Sequence, residues 1–285
     1  MPQTPDAPSP AAPASPPSRA GRNLPLATGV GVFLAALCVF TVNWFPIGFV
    51  VVVAVAFSIA VLELVTSVAT VGVRAARVPL VLGTVAMVFA SYYGGLPGLA
   101  VAFAGTVLTV LFWRLPGGTS GAVRDVTASA WIAAYASFLG SFALLLFAQP
   151  RGADRVVVFI ALTVCSDVGG YALGVLKGKH PMAPQISPKK SWEGFAGSVI
   201  ACLLGGWLIT GWLLDTKPWQ GLLVGLAVVI TATLGDLAES MVKRDLGIKD
   251  MGRLLPGHGG MMDRLDSLIP VAPVAYVLLS LFVGR

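Results

Sequence analysis

Long apolar runs separated by short polar breaks make up the chain from residue 23 onward. Each run is close to the roughly twenty residues that an α-helix needs to cross the hydrocarbon of a bilayer. The pattern predicts an all-α fold of nine transmembrane helices. The predicted spans are 24–43, 47–72, 78–93, 96–113, 125–148, 155–176, 194–214, 220–240 and 265–284. The third is short, and the Gly/Pro-containing stretch 91–98 predicts a tight turn between it and the fourth.

Composition supports the membrane interpretation. Apolar residues make up 56% of the chain and charged residues only 11%, with a mean hydropathy of +0.85. A soluble protein carries about a quarter of its residues as charges. The chain is therefore predicted to be a polytopic membrane protein. Its three cysteines, Cys38, Cys165 and Cys202, stand singly inside apolar runs, which indicates packing residues rather than a disulfide or a thiolate metal site.

The chain divides into three regions by composition. Residues 1–22 are rich in Pro, Ala and Ser without apolar periodicity, which predicts a disordered cytoplasmic tail rather than a signal peptide. Residues 23–150 hold few charges and are predicted to be a transmembrane scaffold. Most of the remaining charge lies in 166–193 and 236–266, so 151–285 is predicted to be the catalytic region.

Basic residues predict the orientation. With a cytoplasmic N-terminus and nine spans, 15 of the 19 Lys and Arg residues fall in cytoplasmic segments. The four on the opposite side are Arg151, Arg155, Lys217 and Arg285. The positive-inside rule then places both charged segments at the cytoplasmic face of a plasma-membrane protein.

The segment 235–267 is the strongest candidate for chemistry. Asp236 and Glu239 lie three residues apart at the end of the eighth span, and Asp263 and Asp266 repeat that spacing at the start of the ninth. Carboxylates at membrane depth are costly unless paired, hydrated or bound to metal. Hard oxygen ligands favour Mg²⁺, and a second cation is left open.

Basic and glycine residues surround these carboxylates. Glycines before a helix start let backbone N–H groups approach an anion closely, and His258 stands among them as a candidate phosphate donor or proton carrier. The combination predicts a metal–polyphosphate site. For any single residue, a topogenic or helix-capping role is the alternative. The flanking residues are Ser240, Lys243, Arg244, Lys249, Arg253, Gly257, Gly259, Gly260 and Arg264.

A second charged segment lies upstream. Asp167 is an intramembrane acid followed by two glycines, and such an acid is a functional candidate. The basic turn Ser187-Pro188-Lys189-Lys190 is predicted to contact a phosphate or the anionic leaflet. Glu63 is interpreted as a buried polar contact, with a role in the site as the alternative, and His180 as a solvated loop residue.

With these motifs, the sequence resembles the phosphatidate cytidylyltransferase family. The family signature, Ser-x-x-Lys-Arg, four residues, Lys-Asp, then His-Gly-Gly-x-x-Asp-Arg-x-Asp, is complete in this chain. It consists of Ser240, Lys243, Arg244, Lys249, Asp250, His258, Gly259, Gly260, Asp263, Arg264 and Asp266. The upstream Asp-x-Gly-x-Tyr and Ser-Pro-Lys-Lys-x-Trp-Glu-Gly elements are also similar. One difference is Val175, where family members often carry a basic residue.

The resemblance implies that CTP and phosphatidic acid give CDP-diacylglycerol and pyrophosphate, with Mg²⁺, in phospholipid biosynthesis at the bilayer. A homodimer is a further expectation from the family, and no nucleic acid is expected as a partner. Asp236 and Asp263 are the predicted metal ligands, with Glu239, Asp266 and Asp167 in support. Lys243, Arg244, His258 and Arg264 are the predicted catalytic partners of the phosphates. The predicted substrate-binding residues are Ser187, Lys189, Lys190, Ser240, Lys249, Gly259 and Gly260.

Three other functions fit the sequence less well. A cation transporter would distribute its acids through the membrane depth, whereas these cluster at one face. A CDP-alcohol phosphotransferase would carry a different acidic pattern, which is absent. A CTP-dependent polyprenol kinase is separated mainly by the His-Gly-Gly signature and by the lipid product.

Overall fold

The computed structural model describes residues 33, 36–252 and 259–283, and within them the fold is helical with one small β-hairpin. The predicted tail 1–22 and His258 lie outside the described residues. The helices are α1 (36–44), α2 (Pro46–Ala69), α3 (Arg77–Arg114), α4 (Ala122–Ile132), α5 (Phe142–Phe147), α6 (Gly152–Lys177), α7 (Trp192–Leu214), α8 (Pro218–Asp245), α9 (Met262–Leu265) and α10 (Leu268–Phe282). A 3₁₀ turn, Leu115–Gly117, follows α3, and a π-helical segment, Ala133–Phe138, lies between α4 and α5.

The predicted membrane architecture is confirmed as an all-α polytopic arrangement. Seven helices in the described part of the chain are long and apolar enough to cross a membrane, by length and composition. These seven helices account for eight of the nine predicted runs, because α3 contains the third and the fourth. The first run lies mostly outside the described residues, so the total of nine stays a prediction.

The third and fourth runs form the two arms of α3. Gly95, with φ 61° and ψ −156°, interrupts the helix where the Gly/Pro pattern predicts a turn. A Cβ on Gly83 would overlap the Thr106 side chain, and one on Gly98 would lie 2.6 Å from the Ala90 carbonyl oxygen. These contacts pair residues placed evenly about Gly95, so the arms are antiparallel. At about 1.5 Å per residue, each arm approaches the roughly 30 Å of bilayer hydrocarbon.

Glycines let the helices of the C-terminal half approach closely. A Cβ on Gly169 of α6 would lie 2.6 Å from the Ala201 Cβ of α7. A Cβ on Gly221 of α8 would meet the Thr210 hydroxyl at 2.5 Å. Small residues at contacts between apolar helices allow such backbone approach without a hydrophobic driving force. This packing fixes α6, α7 and α8 against one another, and all three contribute to the site.

A short antiparallel hairpin was not predicted from the sequence. Strands β1 (Pro181–Ala183) and β2 (Ser187–Ser191) pair with Pro181 opposite Ser191 and Ala183 opposite Ser187. The Ser191 hydroxyl then accepts a hydrogen bond from Gly194 N at 3.1 Å and caps α7. The segment expected to be a basic turn is therefore mostly a strand, and it ends directly at the N-terminus of a long helix.

Polar contacts gather at the two ends of the helices. At one end, the Asp125 carboxylate accepts hydrogen bonds from Arg74 N and from Arg114 Nε, at 2.9 and 3.0 Å. At the other, Arg151 pairs with Asp215 at 2.8 Å, and the buried Arg155 donates to the Leu279 carbonyl. Hydrogen bonding to Asp215 and Asp154 raises the pKa of Arg151 further, so this cation stays charged. The apolar middle lies between these two polar layers.

Candidate active site

A cavity of about 420 Å³ lies where α6, β2, the start of α7, α8 and the start of the last span meet. Its wall is strongly polar for a protein of this composition. Three helices and the strand each supply charge, so the two charged sequence segments, 166–193 and 236–266, come together here. The charged lining residues are Asp167, Lys189, Lys190, Asp236, Asp263, Arg264 and Asp266.

Asp236 is held by a lysine from the hairpin. Lys190 Nζ lies 2.6 Å from Asp236 Oδ2, and the Ser240 hydroxyl donates to Asp236 Oδ1 at 3.4 Å. Both charged side chains are partly exposed, Lys190 by 23% and Asp236 by 34%. Because they line the cavity, both groups remain within reach of a bound ligand.

Asp263 is more deeply placed and more fully bonded. Its Oδ2 accepts hydrogen bonds from Gly260 N at 2.9 Å and Met251 N at 3.0 Å. Its Oδ1 accepts one from Lys243 Nζ at 2.9 Å. The side chain is 7% exposed. Two amides and an ammonium group therefore fix the direction of this carboxylate.

Lys243 joins Asp263 to Glu239. Its ammonium group lies 2.5 Å from Glu239 Oε2, one helical turn away on α8. Glu239 is buried, and its Oε1 has no hydrogen-bond partner among the described residues. An unpaired buried carboxylate oxygen is costly, so this atom is available to a cation or a shared proton.

The preceding half of the chain also reaches this region. Glu63 of α2 accepts hydrogen bonds from Met261 N at 3.0 Å and from Met262 N at 2.8 Å. Tyr135 of the π-helical segment lies near Glu239, Asp266 and Asp236. Its hydroxyl is buried without a hydrogen-bond partner in the described part of the chain. Insertions of a π turn in a helix are frequent at functional sites.

Comparison with known proteins decides the family. Residues 26–282 match the Cytidylyltransferase family. The chain belongs to this family. It is 43% identical to a phosphatidate cytidylyltransferase of Mycobacterium leprae over 279 residues, covering 92% of this chain and 89% of that protein. It is 42% identical to one of Mycobacterium bovis, with 93% and 90% covered. One of Brucella suis is 38% identical over 149 residues, which covers 52% of this chain and 55% of that protein.

Seven of the predicted site residues line the cavity, as named above. Three more bond directly to them: Ser240, Lys243 and Gly260. Glu239 joins them through Lys243. The predicted amide donor Gly260 meets an anion, but that anion is the Asp263 carboxylate. Gly259, with φ +82°, supplies the turn beside it.

Other predicted residues lie away from this cavity. Arg244 Nε donates to the Ile186 carbonyl at 3.1 Å and so ties the end of α8 to the hairpin. Arg244 and Lys249 line a separate cavity of about 320 Å³. Ser187 begins β2 and does not line the main cavity. His180 is not merely solvated, because its Nδ1 lies 2.5 Å from Glu193 Oε1.

Several cavity residues of this cytidylyltransferase family member were not predicted. Thr233 lies three residues before Asp236 on α8, so the helical period could have identified it. Ser198 lines the cavity while its hydroxyl donates to the Ser166 carbonyl at 2.6 Å. Tyr135 lies near the cavity acids without lining the cavity, and it carries no sequence signal because it is an aromatic residue inside an apolar run.

Proposed function

We propose that this protein is a phosphatidate cytidylyltransferase, which transfers CMP from CTP to phosphatidic acid and forms CDP-diacylglycerol and pyrophosphate. The observation that carries the proposal is the convergence of both charged segments on one cavity. Relatives covered over most of their length bear that name. The rival transporter interpretation has no comparable support, because the acids gather at one end of the helices.

The reaction requires little covalent chemistry from the protein. A phosphate oxygen of the lipid attacks the α-phosphorus of CTP, the new P–O bond forms, and the bond to the β-phosphate oxygen breaks. Pyrophosphate leaves with that electron pair. A phosphate monoester already carries about −1.5 to −2 charges at pH 7, so no side-chain nucleophile is needed. Catalysis then depends on positioning and on neutralising charge.

The basic residues of the cavity suit that task. Lys189, Lys190 and Arg264 approach from the hairpin and from α9, on different sides of the same cavity. Cations aimed at a transferring phosphoryl group stabilise the charge that develops on it. Lys243 instead bonds to Glu239 and Asp263, so its role is to hold carboxylates.

The residues present also fit Mg²⁺. No group of three His, Cys, Asp or Glu side chains in the described ranges converges on a metal position. Mg²⁺, however, is usually held by one or two carboxylates together with substrate phosphates and water. Asp236 and Asp263 would hold it, with Asp266, Asp167 and the unpaired Glu239 oxygen nearby. The ion would supply further charge neutralisation on the phosphate oxygens.

The surroundings of the cavity suit the approach of a lipid from one side and of a nucleotide from another. Tyr171 lines the cavity and is 75% exposed, and its α6 neighbours Val168 and Val175 are exposed apolar residues. Such a surface suits acyl chains entering from the bilayer. The polar end of the cavity would admit CTP from the cytoplasm of a plasma-membrane enzyme whose N-terminus is cytoplasmic. A homodimer stays a prediction from the family resemblance.

The proposal is tested with detergent-purified protein, CTP labelled in the cytosine ring, phosphatidic acid and Mg²⁺. We expect label in the organic phase together with pyrophosphate release, both abolished by EDTA. Asp263→Asn should lower the rate by at least roughly 100-fold, since it weakens a charge at the reacting centre. Asp245→Asn is the matched control, because Asp245 ends α8 on the exposed surface outside the cavity.

Two outcomes would contradict the assignment. Folded wild-type protein that gives no lipid-borne cytosine label is not a phosphatidate cytidylyltransferase. Transfer of the γ-phosphate of CTP to a polyprenol, measured with γ-labelled CTP, would instead identify a polyprenol kinase.

A further inference from the structure

Two polar side chains on α2 form hydrogen bonds with backbone groups of Met251, Met261 and Met262. The Glu63 carboxylate accepts hydrogen bonds from the backbone N–H groups of Met261 and Met262. One helical turn later, the Ser67 hydroxyl donates to the Met251 carbonyl at 3.1 Å. Glu63 and Ser67 are here called the α2 clamp. They come from the half of the chain that the sequence presents as scaffold.

The clamped backbone is the backbone that binds Asp263. Met251 receives the Ser67 hydrogen bond at its carbonyl and donates its own N–H to Asp263 Oδ2. The residue before Met261, Gly260, donates the second N–H to that oxygen. Displacing Met251 or Gly260 would therefore move the partners of a cavity carboxylate.

Glycines bring this backbone against the Glu63 side chain. The three atoms nearest to a Cβ on Gly252 would all belong to Glu63, the farthest of them Cγ at 2.8 Å. A Cβ on Gly260 would lie 2.6 Å from Glu63 Oε2 and 2.7 Å from Gly252 N. Both glycines thus allow a contact that any larger residue would disturb.

Backbone amides at the start of α9 explain why an acid lies in the apolar helix α2. The first amides of a helix lack intrahelical partners, and Met261 at the start of α9 has no side-chain cap of its own. Glu63 supplies two acceptor oxygens from another helix. We propose that Glu63 is a positioning residue for cytidylyl transfer, which fixes the start of α9 and thereby Asp263 in the cavity. The expected effect on catalysis rests on the proposed function, whereas the hydrogen bonds of the clamp do not depend on it.

The clamp is tested by hydrogen exchange on the full-length protein in detergent, without substrate. Glu63→Ala should speed exchange in peptides covering 259–265 by roughly 10- to 100-fold, the factor expected for lost hydrogen bonds to a charged acceptor. Glu63→Gln, which keeps one acceptor oxygen, should give a smaller change. Thr66→Val is the matched control, because the exposed Thr66 hydroxyl donates to Leu62 O of its own helix and, among the described residues, to no part of 259–265.

The catalytic consequence is measured with the same variants. Glu63→Ala should lower kcat by roughly 10- to 100-fold, as misplacement of a reacting group does, with a KM for phosphatidic acid within about threefold of wild type. Gly252→Ala should act in the same way, because its methyl group displaces Glu63. The Gly252→Ala/Glu63→Ala double variant should be no worse than Glu63→Ala, since contacting residues are non-additive.

The outcomes separate the two proposals. Unchanged exchange at 259–265 in Glu63→Ala overturns the clamp, whatever the activity. Exchange that rises throughout α2 and α10 overturns it too, because Glu63 would then support the fold in general. Faster exchange confined to 259–265 supports the clamp even if wild-type protein shows no cytidylyltransferase activity, in which case only the proposed function fails. Additive losses in the double variant contradict the Gly252–Glu63 contact.

Discussion

Lys190 and Lys189 are neighbours in sequence that the structure treats differently. Lys190 pairs with Asp236 at 2.6 Å, whereas Lys189 lines the same cavity on the exposed face of β2. Loss of the Lys190 ammonium group removes a cation and also leaves the partly buried Asp236 carboxylate without its ion pair. Loss of the Lys189 ammonium group removes a positive charge from the cavity and nothing else.

We therefore expect Lys190→Gln to lower kcat/KM for CTP at least roughly tenfold more than Lys189→Gln does. Both substitutions make the same change in side chain and remove one charge, so each is the control of the other. Initial rates over a range of CTP concentrations measure the difference. Equal losses would show that the Asp236 pair has no particular role.

At the level of single residues, the sequence predicted the cavity acids well and their partners poorly. Charge inside apolar runs is conspicuous, so Asp167, Asp236, Asp263 and Asp266 could be identified without a structure. The Glu63 contacts could not, because they join residues 198 and 199 positions apart. The Gly260 amide was expected to meet a substrate anion, yet the nearby Asp263 carboxylate satisfies it.

Among the elements, the α3 turn was predictable and the β-hairpin was not. Glycine and proline mark a break in an apolar helix whatever surrounds it, and Gly95 adopts backbone angles that other residues avoid. Strands β1 and β2 are short and lack apolar alternation, so no period indicates them. Contacts with α7 and α8 position β2 instead, and β1 pairs with β2.

Gly95→Ala should destabilise the protein by about 1–3 kcal/mol, because it places a Cβ in a backbone region that is nearly exclusive to glycine. Gly94→Ala is the matched control, since a Cβ there meets nothing within 4 Å and its φ is not in the left-handed range. Thermal unfolding in detergent distinguishes the two. The activity per folded molecule should be unchanged, because the α3 hairpin contributes no residue to the cavity. Equal melting temperatures would contradict the strain at Gly95.

On the scale of the whole molecule, the two polar ends differ in charge. Of the basic residues in the described ranges, twelve belong to segments at the end that holds the cavity, and three, Arg151, Arg155 and Lys217, to the other. Glu63 and Ser67 place the C-terminal end of α2 beside the cavity. Arg74 lies in the loop that follows α2, so its contact with Asp125 is at the same end of the molecule. The sequence predicted this asymmetry from a count of spans, and the structure supports it through contacts that do not depend on that count.

This asymmetry predicts the orientation of the enzyme in a cell. Basic segments are retained on the cytoplasmic side, so the cavity should open to the compartment that contains CTP. In a cysteine-free background, Ser120→Cys lies in an exposed loop at the cavity end, and Lys217→Cys is exposed at the other. A membrane-impermeant maleimide should label Lys217→Cys on intact cells, and Ser120→Cys only after permeabilisation. The reverse pattern would place the cavity outside, where a cytidylyltransferase would lack its nucleotide substrate.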